Sequence, residues 1–212
     1  MDRFGIDYHG VLRQALKRGG EYADIFLEKS SPLIIQCEDN RIEKVLSGSE
    51  TGAGLRLLFG QKTAYAYTNE LTTAALMELA EAVSLAAKES GTSMRPVVRL
   101  KRSSSGNAMG IRIPAESVGI EKKVALVRSA NRTARSIDSR IRQVMVVYRE
   151  NRQEVLIANS AGSLVRDDRR YLTAMVHVVG VQGDVIQTGY EPVGGLTGFE
   201  LFDAEPLENA AQ

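Results

Sequence analysis

The chain has 212 residues, 43% apolar and 25% charged, with 27 basic against 26 acidic side chains for a formal net charge of +1. Bulk charge therefore selects no partner, and the composition is that of an ordinary globular protein, which excludes global disorder, collagen and coiled coil. The length suits one large domain or two small ones. No apolar run approaches the ~18 residues of a membrane span and the N-terminus lacks a secretory pattern, so the expected location is the cytoplasm, with no membrane partner.

Residues 7–18 read as a short helix with Val11, Leu12, Ala15 and Leu16 on one side, stopped by Gly19-Gly20. The period then changes. Strands are expected at 22–29, 33–38, 41–47, 54–59 and 63–67, separated by Ser30-Ser31-Pro32, Asp39-Asn40, Ser47-Gly48-Ser49 and Gly60-Gln61, the turn chemistry of an antiparallel meander. Gly52 and Gly54 flank Ala53 where a bulge or positive φ is expected. Residues 72–89 form the clearest helix, with Leu76, Leu79 and Val83 in one apolar stripe. Residues 93–118 hold Pro96, Pro114 and a Ser-Ser-Ser-Gly-Asn run without a sustained period, which reads as a linker or long loop.

A third helix is expected over 120–137, burying Leu126, Ala130, Ala134 and Ile137 while Arg128, Arg132 and Arg135 line another face. Strands follow at 140–149, 154–158, 164–170, 172–181 and 185–189, with turns at 150–153, 159–162 and 182–184. The fold class is therefore α+β, as two modules that each pack an antiparallel sheet with one or two helices. The first is 1–92, the linker 93–118 and the second 119–212.

Charge is unevenly spread: residues 1–90 carry net −3, 91–142 net +9 and 143–212 net −5. The basic segment 91–142 is a candidate anion surface, although no aromatic stacking groups interleave its basic residues, which favours a solvated face.

Catalytic constellations are incomplete. His9, His177 and Cys37 are scattered, so they neither close a tetrahedral zinc site nor form a Ser-His or Cys-His pair. Cys37 lies in an apolar run and reads as a buried, inert thiol. His177 alternates within a strand and His9 sits at a helix start. Asp167 and Asp168 are adjacent on a strand and point to opposite faces. Gly52-Ala53-Gly54 and the run from Gly194 to Gly198 lack the remaining residues of dinucleotide or phosphate loops. The site residues expected from this chain are none catalytic, none cofactor-binding and none metal-binding.

Whole strings say more than spacing. EYADIFLEKS and CEDNRIEKVLSGSETGAGLRLLFGQKTAYAYTNELT, followed by the alanine-rich helix, resemble the first domain of the TldD/PmbA family of metallopeptidases. EVLIANSAGSLVRDDRRYLTAMVHVVGVQGDVIQTGYEPVGGLTGFELF resembles that family's middle domain, its glycine-rich stretch ending in Gly-Phe-Glu and looking more like the zinc-bearing TldD branch. The resemblance covers about residues 20–90 and 115–205. It implies a peptidase of unfolded peptides, working as a homodimer or as a heterodimer with a related family subunit. The family is also linked to peptide-antibiotic maturation, to antitoxin removal and to modulation of DNA gyrase.

The family's zinc motif, His-Glu-x-x-x-His with a later cysteine, belongs to a C-terminal domain absent from this chain, so no catalytic residue carries over. The expectation is a fragment or short relative, inactive alone. It holds no cofactor of its own, zinc being expected in the full-length protein, and serves dimerisation and the shaping of a substrate chamber with strand edges open to peptides. The competing reading is a standalone anion or nucleic-acid binding module using residues 91–142, which would lose affinity steeply with added salt; the first reading expects no nucleic-acid partner.

Overall fold

A computed structural model describes residues 4–88, 96–104, 110–204, 207, 209 and 210. Its elements in chain order are α1 (Tyr8–Leu16), β1 (Tyr22–Glu38), β2 (Arg41–Ser47), β3 (Glu50–Phe59), β4 (Lys62–Thr68), α2 (Thr73–Ala87) and β5 (Lys101–Ser104). There follow a 3₁₀ turn (Ala115–Ser117), α3 (Ile120–Ile137), β6 (Ile141–Asn159), β7 (Ser163–Gln182), β8 (Val185–Gly195) and α4 (Leu201–Ala204).

The chain divides into two compact units that interleave in sequence. Unit 1 takes Met1–Ser30, Glu50–Asn107 and Gln153–Asp168, and unit 2 takes Ser31–Ser49, Ala108–Arg152 and Arg169–Gln212. Stretches 1–92 and 119–212 divide the chain in order, whereas the compact units share strands, because β1, β6 and β7 each enter both. Each unit is an antiparallel sheet packed with helices, the α+β class expected from sequence, except that β5 joins β7 in parallel.

Unit 1 orders its strands β4-β3-β1-β6-β7-β5. Alternation sends Ala23, Ile25 and Leu27 of β1 and Ala53, Leu55 and Leu57 of β3 to one face, where Val11, Leu12, Ala15 and Leu16 of α1 and Leu76, Ala80 and Val83 of α2 cover them. Asp7 caps α1 by accepting from the Gly10 N–H at 2.9 Å, and Thr72 caps α2 by accepting from the Ala75 N–H at 3.1 Å. Gly19 and Gly20, at φ +118° and +125°, end α1 as their sequence predicts.

In unit 2 the order is β2-β1-β6-β7-β8, with Ile35, Cys37, Val144, Val146, Leu172, Ala174 and Val176 facing α3 and the aromatic side chains of Phe199 and Phe202. Asp39 and Asn40, both at positive φ, make the two-residue β1–β2 turn.

Three expected breaks are absent. β1 runs through Ser30-Ser31-Pro32, β6 through residues 150–153 and β7 through 171. Pro32 is tolerated because its register position lies between the last β1–β3 pair, Ser30 with Glu50, and the first β1–β2 pair, Leu33 with Ser47, where no ladder needs its N–H. The linker expected over 93–118 contains β5 and the 3₁₀ turn among its described residues; 93–95 and 105–109 lie outside them.

Candidate functional site

The residues most able to do chemistry do not converge. His9 sits half-buried in α1 of unit 1, whereas Cys37 and His177 belong to unit 2, His177 in β7 with Tyr190 of β8 as its register partner. Cys37 is fully buried, and burial pushes its thiol up against the opposing pull of Arg128 and Arg132. Asp167 and Asp168 are neighbours in β7 and alternate across it. Among the described residues no three His, Cys, Asp or Glu side chains gather closely enough to hold a metal ion.

The arginine stripe of α3 is partly engaged by the fold. Arg135 is ion-paired with Asp39 and donates to the Arg142 carbonyl at 3.2 Å, Arg140 is paired with Asp138 at 2.5 Å, and Lys123 is buried against Glu150. Arg128 and Arg132 remain at the surface, lining a shallow depression of about 460 Å³ with Ile120, Glu121, Val124 and Ala125. An anion there meets two guanidiniums but also the Glu121 carboxylate.

Lys123 is the residue that sequence reading missed. The face of α3 turned to the sheet is Lys123, Val127, Ala130, Asn131 and Ala134, one step round from the expected stripe, and Ile137 is 49% exposed. Lys123 Nζ lies 2.8 Å from both carboxylate oxygens of Glu150, and Tyr148 donates its hydroxyl to the same carboxylate. Burial, then the Glu150 bond, drives the Tyr148 phenol far above its ordinary pKa. Its ring packs on Phe199 and Phe202 with centroids 6.4 and 6.1 Å away. The signal was present: Lys123 stands four residues before Val127, on the apolar stripe.

The Gly-Phe-Glu string is a clamp. A Cβ at Gly198 would collide with the Ile113 carbonyl and the Glu200 carboxylate, so only glycine lets these strands of chain approach. Phe199 donates its N–H to the Ile113 carbonyl at 2.7 Å, and Glu200 accepts from the N–H groups of Arg112 and Ile113, each at 2.8 Å. Burial pushes the Glu200 carboxyl up, yet the backbone donors outweigh it and hold it below the usual range. Gly194, at φ +156°, abuts the Leu172 carbonyl, which excludes a side chain there as well.

Gly52 and Gly54 correct an expectation: neither has positive φ, and the β1–β3 register passes through both without a bulge. A Cβ at Gly54 would meet the Tyr65 ring, whereas at Gly52 its nearest neighbour is the Thr68 carbonyl at 3.9 Å. Tyr65 thus lies across Gly54 on the sheet face away from the helices, beside exposed Phe26 and Tyr67.

Likeness to known proteins decides the family. Residues 23–87 match PmbA/TldA metallopeptidase domain 1, and residues 113–212 match the PmbA/TldA metallopeptidase central domain. The chain belongs to the PmbA/TldD metallopeptidase family. It is 29% identical over 191 residues to a metalloprotease TldD homolog of Haemophilus influenzae, covering 87% of this chain and 38% of that protein. A metalloprotease of Methanothermobacter thermautotrophicus is 28% identical over 204 residues, covering 95% and 43%. The chain thus spans about two fifths of the length of these curated relatives.

PmbA/TldD architecture is equally plain in the fold. TldE from Thermococcus kodakarensis superposes with a TM-score of 0.74 at 16% identity, covering 96% of this chain and 46% of that one. A putative modulator of DNA gyrase from Bacteroides thetaiotaomicron superposes at 0.70 with 18% identity, covering 89% and 44%. Among the described residues no helix is long and apolar enough to cross a membrane.

Proposed function

We propose that this chain supplies the N-terminal and central region of a TldD/PmbA-type zinc metallopeptidase acting on unfolded peptides in the cytoplasm. In this reading it pairs with a second family subunit and walls the chamber that admits extended substrate. Zinc ligation and bond cleavage fall to residues outside this chain, in the TldD-like branch. The observation that carries the reading is the match of both domain models in the family's order, together with metalloprotease relatives of more than twice the length.

The glycine clamp and the buried Lys123–Glu150 pair support a scaffold role, since every group in them is satisfied internally and none is presented to a substrate. Open strand edges suit extended peptides, which bind by adding a strand.

The test mixes the 212-residue chain with a zinc-bearing TldD subunit and a fluorescent, reduced and alkylated polypeptide. The expected result is a complex of fixed stoichiometry and saturable peptide binding that persists between about 50 and 200 mM salt, with no cleavage by the chain alone. Absence of any complex and of peptide binding would refute it. Tight binding of duplex DNA that collapses over the same salt range would favour the anion-module reading through Arg128 and Arg132 instead.

A further inference from the structure

The outward side of α3 carries charge that the fold does not spend. Several neighbouring bases are engaged: Arg135 pairs with Asp39, Arg140 with Asp138 and Lys123 with Glu150, while Lys122 holds its Nζ over the Phe199 ring, 5.1 Å from the centroid. The Arg128 and Arg132 guanidiniums are exposed and make no ion pair or hydrogen bond among the described residues. Glu121 is the only acid of α3, and its Oε2 turns back to within 3.0 Å of where a Cβ on Gly119 would stand, so it neutralises neither.

Residues 121, 125, 128 and 132 recur at alternating steps of four and three, which sets them in one stripe, the spacing by which two helices meet along a seam. Ile120, 38% exposed, and half-buried Val124 flank this stripe, and the six side chains line the depression of about 460 Å³. From the N-terminal end its chemistry runs acid, apolar floor, base, base. That is a poor track for a nucleic-acid backbone, which needs a run of free cations with stacking groups between them.

A second helix fits better. Carboxylates one turn apart on a facing helix are separated by a rise of about 6 Å, as Arg128 and Arg132 are. The small side chain of Ala125 lets two helix backbones approach closely at the centre of the stripe. Helix dipoles then choose the direction. An antiparallel partner sets its N-terminal turns, where acids are favoured, against Arg132 and Arg128, and its C-terminal turn, where a base is favoured, against Glu121. A parallel partner would hold both charges against its own dipole. A second copy of α3 offers one acid rather than two and, with Glu121 set on Arg132, would leave Arg128 facing Ala125.

We propose that the outward face of α3 docks an acidic amphipathic helix of another polypeptide, laid antiparallel. Two acids one turn apart meet Arg132 and Arg128, an apolar side chain covers Ile120, Val124 and Ala125, and a base near the C-terminal end meets Glu121. This surface stands or falls independently of the metallopeptidase reading.

Fluorescence anisotropy tests it with the full chain and a labelled, end-capped, alanine-rich peptide of about 18 residues, long enough to hold a helix. The peptide carries two Glu one turn apart in its first half, Leu in the middle and Lys near its end. Saturable binding is expected at about 50 mM salt. The same composition with its charge order reversed should bind about tenfold more weakly, as should the acid-first peptide to the double variant R128E/R132E. Exchanging the two Glu of the peptide for Lys should recover most of the binding to that variant, a rescue that a misfolded protein would not give. Ala125→Glu sets a carboxylate in the apolar floor at an exposed position and should abolish binding, with far-UV circular dichroism unchanged.

Absence of saturable binding, equal binding of both charge orders, or indifference to R128E/R132E overturns the proposal. So does displacement of the bound peptide by an equal concentration of duplex DNA, or a dimer of the chain in sedimentation velocity that R128E/R132E dissolves, since the face then belongs to nucleic acid or to a second copy.

Discussion

Lys123 and Glu150 form an ion pair with 3% and 9% of their side chains exposed, so removing one partner strands a charge in the core of unit 2. Lys123→Met alone should cost about 3 kcal/mol in denaturant unfolding, and Lys123→Met with Glu150→Leu and Tyr148→Phe should recover most of that loss. Adjacent glycines test backbone geometry. Gly194→Ala drives a Cβ into the Leu172 carbonyl and should destabilise by about 2 kcal/mol, whereas Gly195→Ala meets open space and should stay within about 0.5 kcal/mol.

Asp138 shows how pH acts at this scale. The Arg140 guanidinium and backbone N–H hold its carboxyl down at about 2 from an ordinary 3.8. Because the folded value is depressed, the stability it contributes is present above the unfolded pKa and is lost as pH falls from about 3.8 towards 2. Carboxyl NMR titration should place the Asp138 midpoint near 2, and Arg140→Ala should return it towards the ordinary range.

Single elements are held by a few long-range polar contacts. Asn131, fully buried on α3, donates to the Val144 carbonyl at 2.9 Å and accepts from the Asn40 N–H at 2.9 Å, tying helix, β6 and the β1–β2 turn together. Asn131→Ala leaves the Asn40 N–H unpaired and the Val144 carbonyl with the Asp39 N–H as its remaining donor, at 3.0 Å, and should cost about 2 kcal/mol by thermal melting. Similar contacts explain why residues 150–153 form strand where a turn is expected. Glu150 is satisfied by Lys123 and Tyr148, Asn151 accepts from the Ser31 N–H at 3.1 Å, and Gln153 donates to Glu28 at 3.0 Å. A polar run reads as loop when its partners lie up to about 125 residues away in the chain.

For the whole molecule, the interleaving of the two units has a measurable consequence. The core of unit 1 needs Leu156, Ala158 and Leu164, and that of unit 2 needs Ile35 and Cys37, so each draws on the other half of the chain. Separate peptides 1–92 and 119–212 should each lack the dispersed amide spectrum of a folded protein, and mixing them should regain it. Independent folding of either would show that its half-core suffices. The two family domain models divide the same chain in order, at 23–87 and 113–212, which follows sequence continuity rather than the packing of the strands.

What the sequence by itself determined was local or written as a whole string. The helix over 120–137 and the α1 stop at Gly19-Gly20 depend on periodicity and on permitted φ, which neighbouring residues set. The family follows from long strings whose many side chains match together. Only tertiary structure decided that Pro32 sits between two registers, that Gly54 makes room for a tyrosine ring rather than for a bulge or a positive φ, and that Lys123 finds its carboxylate 27 residues on. Those features depend on which strand lies alongside, and a strand's neighbour is chosen by the burial of a whole face, not by the residues next to it in the chain.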